Sequence, residues 1–300
     1  MYLKYFGLAE FPFGLTPDTQ FYFDLPSHRE ALNVLLIALQ NGEGFIKITG
    51  NVGTGKTMLC RKLLKELHSP FVTAYIPNPH LTAAGLRMAI ADELGISYSR
   101  NAGQSRMLQQ INDFLLKAAA TQNKTVLIID EAQAMPLETL EALRLLTNLE
   151  TEKQKLLQIV LFGQPELDEL LQKKSIRQLR QRISFSYTLK QLSTQDIKAY
   201  TQHRLSIAKI NNPNIFSNSA YRALHFYSKG IPRLINILAH KALLSAYGKG
   251  IARVGLKQIQ LAARDTEDTC QHRHPLECRK GLLSLFAFSL FVLLVQLIGL

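Results

Sequence analysis

The chain has 300 residues, 47% apolar and 19% charged, which is enough apolar surface for a large core and excludes wholesale disorder. Three cysteines, Cys60, Cys270 and Cys278, are too few for a disulfide framework and suit a reducing compartment. The net charge of +12 is uneven: residues 191–265 hold 11 Lys/Arg against two Asp/Glu, whereas residues 1–190 hold 21 against 18.

Residues 1–25 mix Phe6, Phe11, Phe13, Phe21, Tyr22 and Phe23 with Pro12, Gly14 and Pro17. They predict an irregular, packed lead-in and lack the charged-then-apolar pattern of a secretory signal. Ser27 to Leu39 predicts a helix, with Ser27 as cap, Glu30 three residues on, and Leu32, Leu35, Leu36 and Leu39 at helical spacing. Phe45–Thr49 is a short β-rich run ending at Gly50, followed by a glycine-rich turn and a helix from about Lys56 to Leu67. Phe71–Ile76 is a second strand, stopped by Pro77 and Pro79, and helical patterns follow around 82–94 and 105–119. Thr125–Ile129 is a continuous apolar run, as a strand buried on both faces requires. A helix near 136–148 and strands at Leu156–Phe162 and Ile183–Leu189 complete the series. Alternating strands and helices predict a three-layer α/β/α core with a parallel sheet over residues 26–190.

From Ser193 the strands stop. Ser193–Ala208, Ser217–Tyr227, Ile231–Tyr247 and Gly255–Ala263 predict a small, basic α-helical lid over residues 191–265. Its charge suits an anionic neighbour: DNA, an anionic membrane leaflet or an acidic protein, with a solvated basic face as the plainer alternative. Residues 266–280 read as a polar linker. Residues 281–300 are uncharged and as a helix would be about 30 Å long, so they predict a transmembrane segment. Arg273, Arg279 and Lys280 stand just before it and orient that side toward the cytoplasm.

Gly50-Asn51-Val52-Gly53-Thr54-Gly55-Lys56-Thr57 fits G-x-x-x-x-G-K-[ST] between a predicted strand and helix. Glycines let backbone N–H groups turn onto phosphate oxygens, and the helix start favours anions. Lys56 places its charge on the β/γ-phosphates of ATP and Thr57 offers its hydroxyl to Mg²⁺. Asp130 and Glu131 end the buried strand, one suited to hold Mg²⁺ and the other to orient the attacking water as general base. Gln164 ends a later strand, where its amide can sense the γ-phosphate. Arg177, Arg180 and Arg182 precede the last strand, placed either to act across a subunit interface or as a plain basic cluster. Arg233, in Gly230-Ile231-Pro232-Arg233, opens a lid helix and can couple lid closure to the nucleotide. Cys270, His272, His274 and Cys278 are metal-ligand types at no standard zinc spacing.

This set resembles the AAA+ superfamily. Tyr5-Phe6-Gly7-Leu8, Pro12-Phe13, Asp130-Glu131-Ala132-Gln133, Glu141-Ala142-Leu143-Arg144, Leu161–Leu167, Leu179–Ile183 and Gly230–Asn236 resemble, more narrowly, the ExeA/GspA-type secretion ATPases. Within them the likeness is to the branch serving mannose-sensitive haemagglutinin (MSHA), type IV pili. The resemblance covers about residues 1–265. It implies an inner-membrane ATPase that forms a homo-oligomeric ring, has its ATPase domain in the cytoplasm, and helps pilus or secretion proteins assemble. A DNA-binding ATPase of the transposition-helper type shares the same core and is the alternative, although no helix-turn-helix or zinc module is present to support it.

Overall fold

The computed structural model describes residues 2–16, 18–99, 103–151, 154–209 and 214–269. Five parallel strands, β1 (Phe45–Thr49), β2 (Phe71–Ile76), β3 (Lys124–Ile129), β4 (Leu157–Gly163) and β5 (Phe185–Thr188), form one sheet in the order β2-β3-β4-β1-β5. Strand β4 sits at the centre and is buried along its whole length, so its run Leu-Gln-Ile-Val-Leu-Phe-Gly needs no alternation. The period of two still sorts its neighbours. Phe45 turns to one face of the sheet, and Ile46 and Ile48 turn to the other.

On the face with Ile46 and Ile48 lie α2 (Pro26–Gln40) and α3 (Lys56–Glu66), through Leu35, Leu39, Leu59 and Leu63. On the opposite face α4 (Ala83–Glu93), α5 (Gln104–Ala120), α6 (Leu137–Leu146), α7 (Glu166–Leu171) and α8 (Arg177–Arg180) pack on Leu127, Ile129, Ile159 and Leu161. The α/β fold with a parallel sheet therefore follows from two apolar helical layers closing on both faces of the strands.

Two local expectations are corrected. Ser27 does not cap α2: Leu25 is the cap residue, makes no side-chain bond, and Pro26 occupies the first helical position. The Ser27 hydroxyl instead accepts the Lys190 N–H at 2.9 Å, stitching α2 to the chain after β5. The aromatic lead-in is not wholly irregular. It contains a one-turn helix, α1 (Tyr2–Phe6), and a short 3₁₀ turn at Thr19–Phe21.

The lead-in packs with the C-terminal helices rather than with the sheet. Tyr2, Leu8, Phe13, Phe21 and Leu25 share one apolar cluster with α9 (Thr194–Ile207), α10 (Asn218–Ser228), α11 (Pro232–Gly248) and α12 (Leu256–Arg264). The Tyr2 hydroxyl lies 2.9 Å from His240 Nδ1 on α11, and the Ala9 N–H donates to the Ala208 carbonyl after α9. Ser193 and Asp196 form a reciprocal capping box that starts α9. The bend between α10 and α11 passes tightly over the chain leading out of the sheet. Gly230 has φ +73°, and a Cβ there would lie 2.3 Å from the Leu192 carbonyl oxygen, so only glycine fits.

No helix among the described residues is long and apolar enough to cross a membrane. The span expected at 281–300 and the Cys/His group at 270–278 lie outside the described residues.

Candidate active site

The loop between β1 and α3 is tight on both sides. Gly53 and Gly55 have φ of +78° and +96°, the left-handed region that side chains avoid. A Cβ on Gly53 would lie 2.6 Å from Arg233 Cβ, and one on Gly55 would lie 2.8 Å from His28 Nε2. The loop is therefore pinched between the start of lid helix α11 and the start of α2. The Arg233 N–H also donates to the Gly53 carbonyl at 3.2 Å, joining lid to loop directly.

Lys56 opens α3 and is buried, with its ammonium donating to the carbonyls of Gly50 (2.8 Å) and Asn51 (3.1 Å). Burial pulls its pKa below the ordinary lysine value, even though Glu131, Asp130 and Glu166 favour the charge. Thr57 Oγ1 donates to Asp130 Oδ2 at 2.7 Å. Asp130 is buried at the end of β3, and burial pushes its pKa up. Its bonds from Thr57 and from the Glu131 N–H oppose that shift.

Glu131 has φ +50°, so the chain bends sharply as it leaves β3. Two amides hold its carboxylate: Gln133 Nε2 donates to Oε2, and Gln164 Nε2 donates to the same oxygen at 3.1 Å. The Gln133 side-chain oxygen Oε1 in turn accepts the backbone N–H of Gln164 at 2.9 Å. The end of β4 thus reads the side chain at the end of β3.

Lys56, Thr57, Glu131, Gln164 and Arg233 line one cavity of about 410 Å³. The lead-in residues Gly14, Leu15, Thr16 and Asp18 and the lid residues Tyr200, Arg204 and Asn236 close its other side. The arrangement offers a cation for phosphate, a hydroxyl and carboxylate suited to a hard divalent ion, and an oriented carboxylate beside an amide that can hold water.

The AAA domain family matches residues 39–171. General secretion pathway protein A of Aeromonas hydrophila is 45% identical over 263 residues, covering 88% of this chain. The chain spans about half of that relative's length, 48%. Among solved structures, Cdc6p from Pyrobaculum aerophilum matches with a TM-score of 0.63 at 18% identity, over 83% of this chain and 70% of the other. The ORC2 protein of Aeropyrum pernix, solved in ADPNP–ADP complexes, matches with 0.57 at 16% identity, over 88% and 74%. The RuvB Holliday junction branch migration motor of Thermotoga maritima matches with 0.52 at 18%, over 79% and 67%.

The chain has the AAA+ fold and is an ATPase. In this AAA+ ATPase, Val52, Gly53, Gly55, Lys56 and Thr57 line the cavity, and Gly50, Asn51 and Thr54 do not. Thr54 Oγ1 donates to the Asn51 carbonyl at 2.8 Å, and Gly50 and Asn51 supply the carbonyls that Lys56 uses. Asp130 reaches the cavity through Thr57. Arg180 and Arg182 do not line it: Arg180 is exposed on α8, and Arg182 donates to Thr147 Oγ1.

Sequence reading missed Tyr200, Arg204 and Asn236 of the AAA+ lid, together with Gln133 and His28. Tyr200 and Arg204 are one helical turn apart on α9, and the Tyr200 hydroxyl donates to Asn236 Oδ1 at 3.0 Å. Arg204 is buried, donates to the carbonyls of Pro12 and Gly14, and its guanidinium carbon stands 4.8 Å from the Phe21 ring centre. The available signal was an arginine on the buried helix stripe of Ile197, Tyr200, Thr201 and Leu205. What it bonds, backbone 190 residues away, leaves no mark on local pattern.

The Asp130 shift carries a testable cost. A carboxyl whose folded pKa lies above its unfolded value loses stability as pH rises from the ordinary aspartate range through the raised value. In chelator-treated buffer at neutral pH, Asp130→Asn should therefore melt higher than the parent. The gap should close below the ordinary aspartate range, as thermal melts across pH would read. An Asp130→Asn variant that melts lower at neutral pH contradicts the cause assigned to the shift.

Proposed function

We propose that this ATPase works at a bacterial inner membrane, where its turnover helps assemble a secretion machine or a type IV, MSHA-like pilus. The 45% identity to general secretion pathway protein A over 88% of this chain supports the secretion setting. The uncharged run at 281–300 supports attachment by a single span with the ATPase domain in the cytoplasm. The supporting observation for the chemistry is the convergence of Lys56, Thr57, Glu131, Gln164 and Arg233 on one cavity.

In this reading the loop from Gly50 to Thr57 grips the phosphates of ATP, and Lys56 exchanges loop carbonyls for phosphate oxygens. Glu131, oriented by Gln133 and Gln164, takes a proton from the attacking water. Arg233 meets the γ-phosphate from the lid, so that lid position and nucleotide state depend on one another. The donors at this point fit Mg²⁺: Thr57 Oγ1 and the Asp130 carboxylate are hard oxygens 2.7 Å apart at the cavity edge. Thr57 and Asp130 would hold the ion, which when bound neutralises charge on the β- and γ-phosphates.

Arg180 and Arg182 stand outside this chain's own cavity, which supports a role in a neighbouring subunit of a homo-oligomeric ring. Replacing both with alanine should leave ATP binding intact and lower turnover roughly 10³-fold or more. Mixing these subunits with Glu131→Gln subunits should recover part of the activity, because some interfaces then join an intact glutamate to intact arginines. No recovery at any mixing ratio places the arginines outside a shared site.

The membrane setting is tested by fractionating cells that express the intact chain or the chain lacking residues 281–300. The intact chain should remain with inner membranes after a salt wash, and the shortened chain should be released. Equal behaviour of both removes the span from the reading.

A further inference from the structure

Helices α10 and α12 pack together in the lid, and neither contains a carboxylate. Helix α10 turns Ala220, Tyr221, Ala223 and Leu224 into the lid core. Its outer face is Arg222, His225 and Phe226, with Lys229 at the cap that follows the helix, all four exposed. Helix α12 repeats the arrangement with Lys257, Leu261 and Arg264, beside Leu256. Phe226 is 52% exposed, Leu256 43% and Leu261 40%. Among the described residues, none of Arg222, Lys229, Lys257 and Arg264 has a carboxylate within 4.0 Å. Asp265, Glu267 and Asp268 follow α12, and Asp265 is paired with Lys241 at 2.8 Å.

Duplex phosphates would use the cations, but would leave the half-exposed phenylalanine and two leucines with no apolar layer to enter unless the duplex were kinked open. An anionic lipid surface uses both kinds of group: cations meet headgroup phosphates while apolar side chains enter the layer beneath. Sixteen residues separate Arg264 from Gly281, so a fully extended linker keeps the lid within roughly 55 Å of the apolar run. We propose that the outer face of α10 and α12 docks on the anionic leaflet beside the 281–300 segment, with Phe226 entering the headgroup layer. This inference rests on the membrane-attached reading above and gives that reading an orientation: the lid, which contacts the phosphate loop through Arg233, is the lobe held at the lipid.

The chain has no tryptophan, so single reporters are available. Full-length Phe226→Trp, and Ile37→Trp at an exposed core position, are reconstituted into vesicles of phosphatidylcholine alone or with phosphatidylglycerol. Each preparation includes brominated lipid as quencher. We expect the Phe226→Trp fluorescence to shift to the blue and be quenched only with phosphatidylglycerol, and the Ile37→Trp fluorescence to be quenched in neither. Adding Arg222→Gln and Lys229→Gln should weaken docking roughly 25-fold, at about fivefold per cation lost, with ATPase turnover unchanged. Vesicle flotation separates the two readings. A Phe226→Trp chain that floats while its indole stays unquenched overturns the docking face and leaves membrane attachment standing. Chain that floats with neither vesicle type overturns both. Equal quenching of the Phe226→Trp reporter in neutral and anionic vesicles overturns the headgroup recognition. A shift of that reporter with short duplex DNA at low salt, without one on lipid, reassigns the face to nucleic acid and overturns the proposal.

Discussion

Lys56→Ala is expected to weaken ATP binding by roughly 30- to 1000-fold, the loss of one or two charge-assisted bonds of about 2–4 kcal/mol in total. The side chain is buried and burial depresses its pKa; two loop carbonyls and nearby carboxylates offset part of that cost, and bound polyphosphate would offset more. Two measurements separate function from folding. The ATP-induced rise in melting temperature should vanish, because ligand stabilisation follows occupancy. The melting temperature without ATP should stay within a few degrees of the parent, because the ammonium bonds only loop carbonyls there. A variant that keeps its ATP-induced shift removes Lys56, and the loop with it, from nucleotide binding.

The second large effect separates chemistry from binding. Glu131→Gln should bind ATP within about threefold of the parent and hydrolyse it roughly 10²- to 10⁴-fold more slowly, the usual weight of a general base. Glutamine is nearly isosteric and can still accept the Gln164 amide that now bonds Glu131 Oε2. The positive φ at residue 131 is the same strain for both side chains, so folding should be little changed. What is lost is the basic oxygen. Single-turnover phosphate release compared with equilibrium ATP binding reads the two effects apart. Unchanged single-turnover release would assign water activation to another group and leave Glu131 a positioning residue for Gln164.

These two expectations rest on residues that local pattern alone picked out. A strand, a glycine-rich loop and a helix in immediate succession leave Lys56 and Thr57 little choice of place, because backbone geometry over eight residues is set by glycine freedom and a helix start. Asp130 and Glu131 were legible because a continuous apolar run must be a buried strand, and the polar pair after it must lie at that strand's C-terminal end. Helix and strand existence followed periodicity, whereas ends moved by a residue or two where caps differed from the sequence signal, as at Ser27 and Pro26.

Strand order was not legible. The strand ending in Gln164 lies between those carrying the loop and the carboxylate pair, and only the parallel registers of β3 with β4 and β4 with β1 decide that. Nor did sequence spacing assign the aromatic lead-in to the lid. Tyr2 finds His240, and Arg204 finds Pro12, across some 190 to 240 residues. Sequence by itself determined the identity and local geometry of the glycine-rich loop with Lys56 and Thr57 and of the Asp130–Glu131 pair, since those depend on neighbours a few bonds away. Tertiary structure decided which amides orient Glu131, that Arg233 sits on the loop while Arg180 and Arg182 do not line this chain's cavity, and which helix faces remain outside. Each of these is set by burial of apolar faces between segments far apart in the chain, a cooperative choice that no short window encodes.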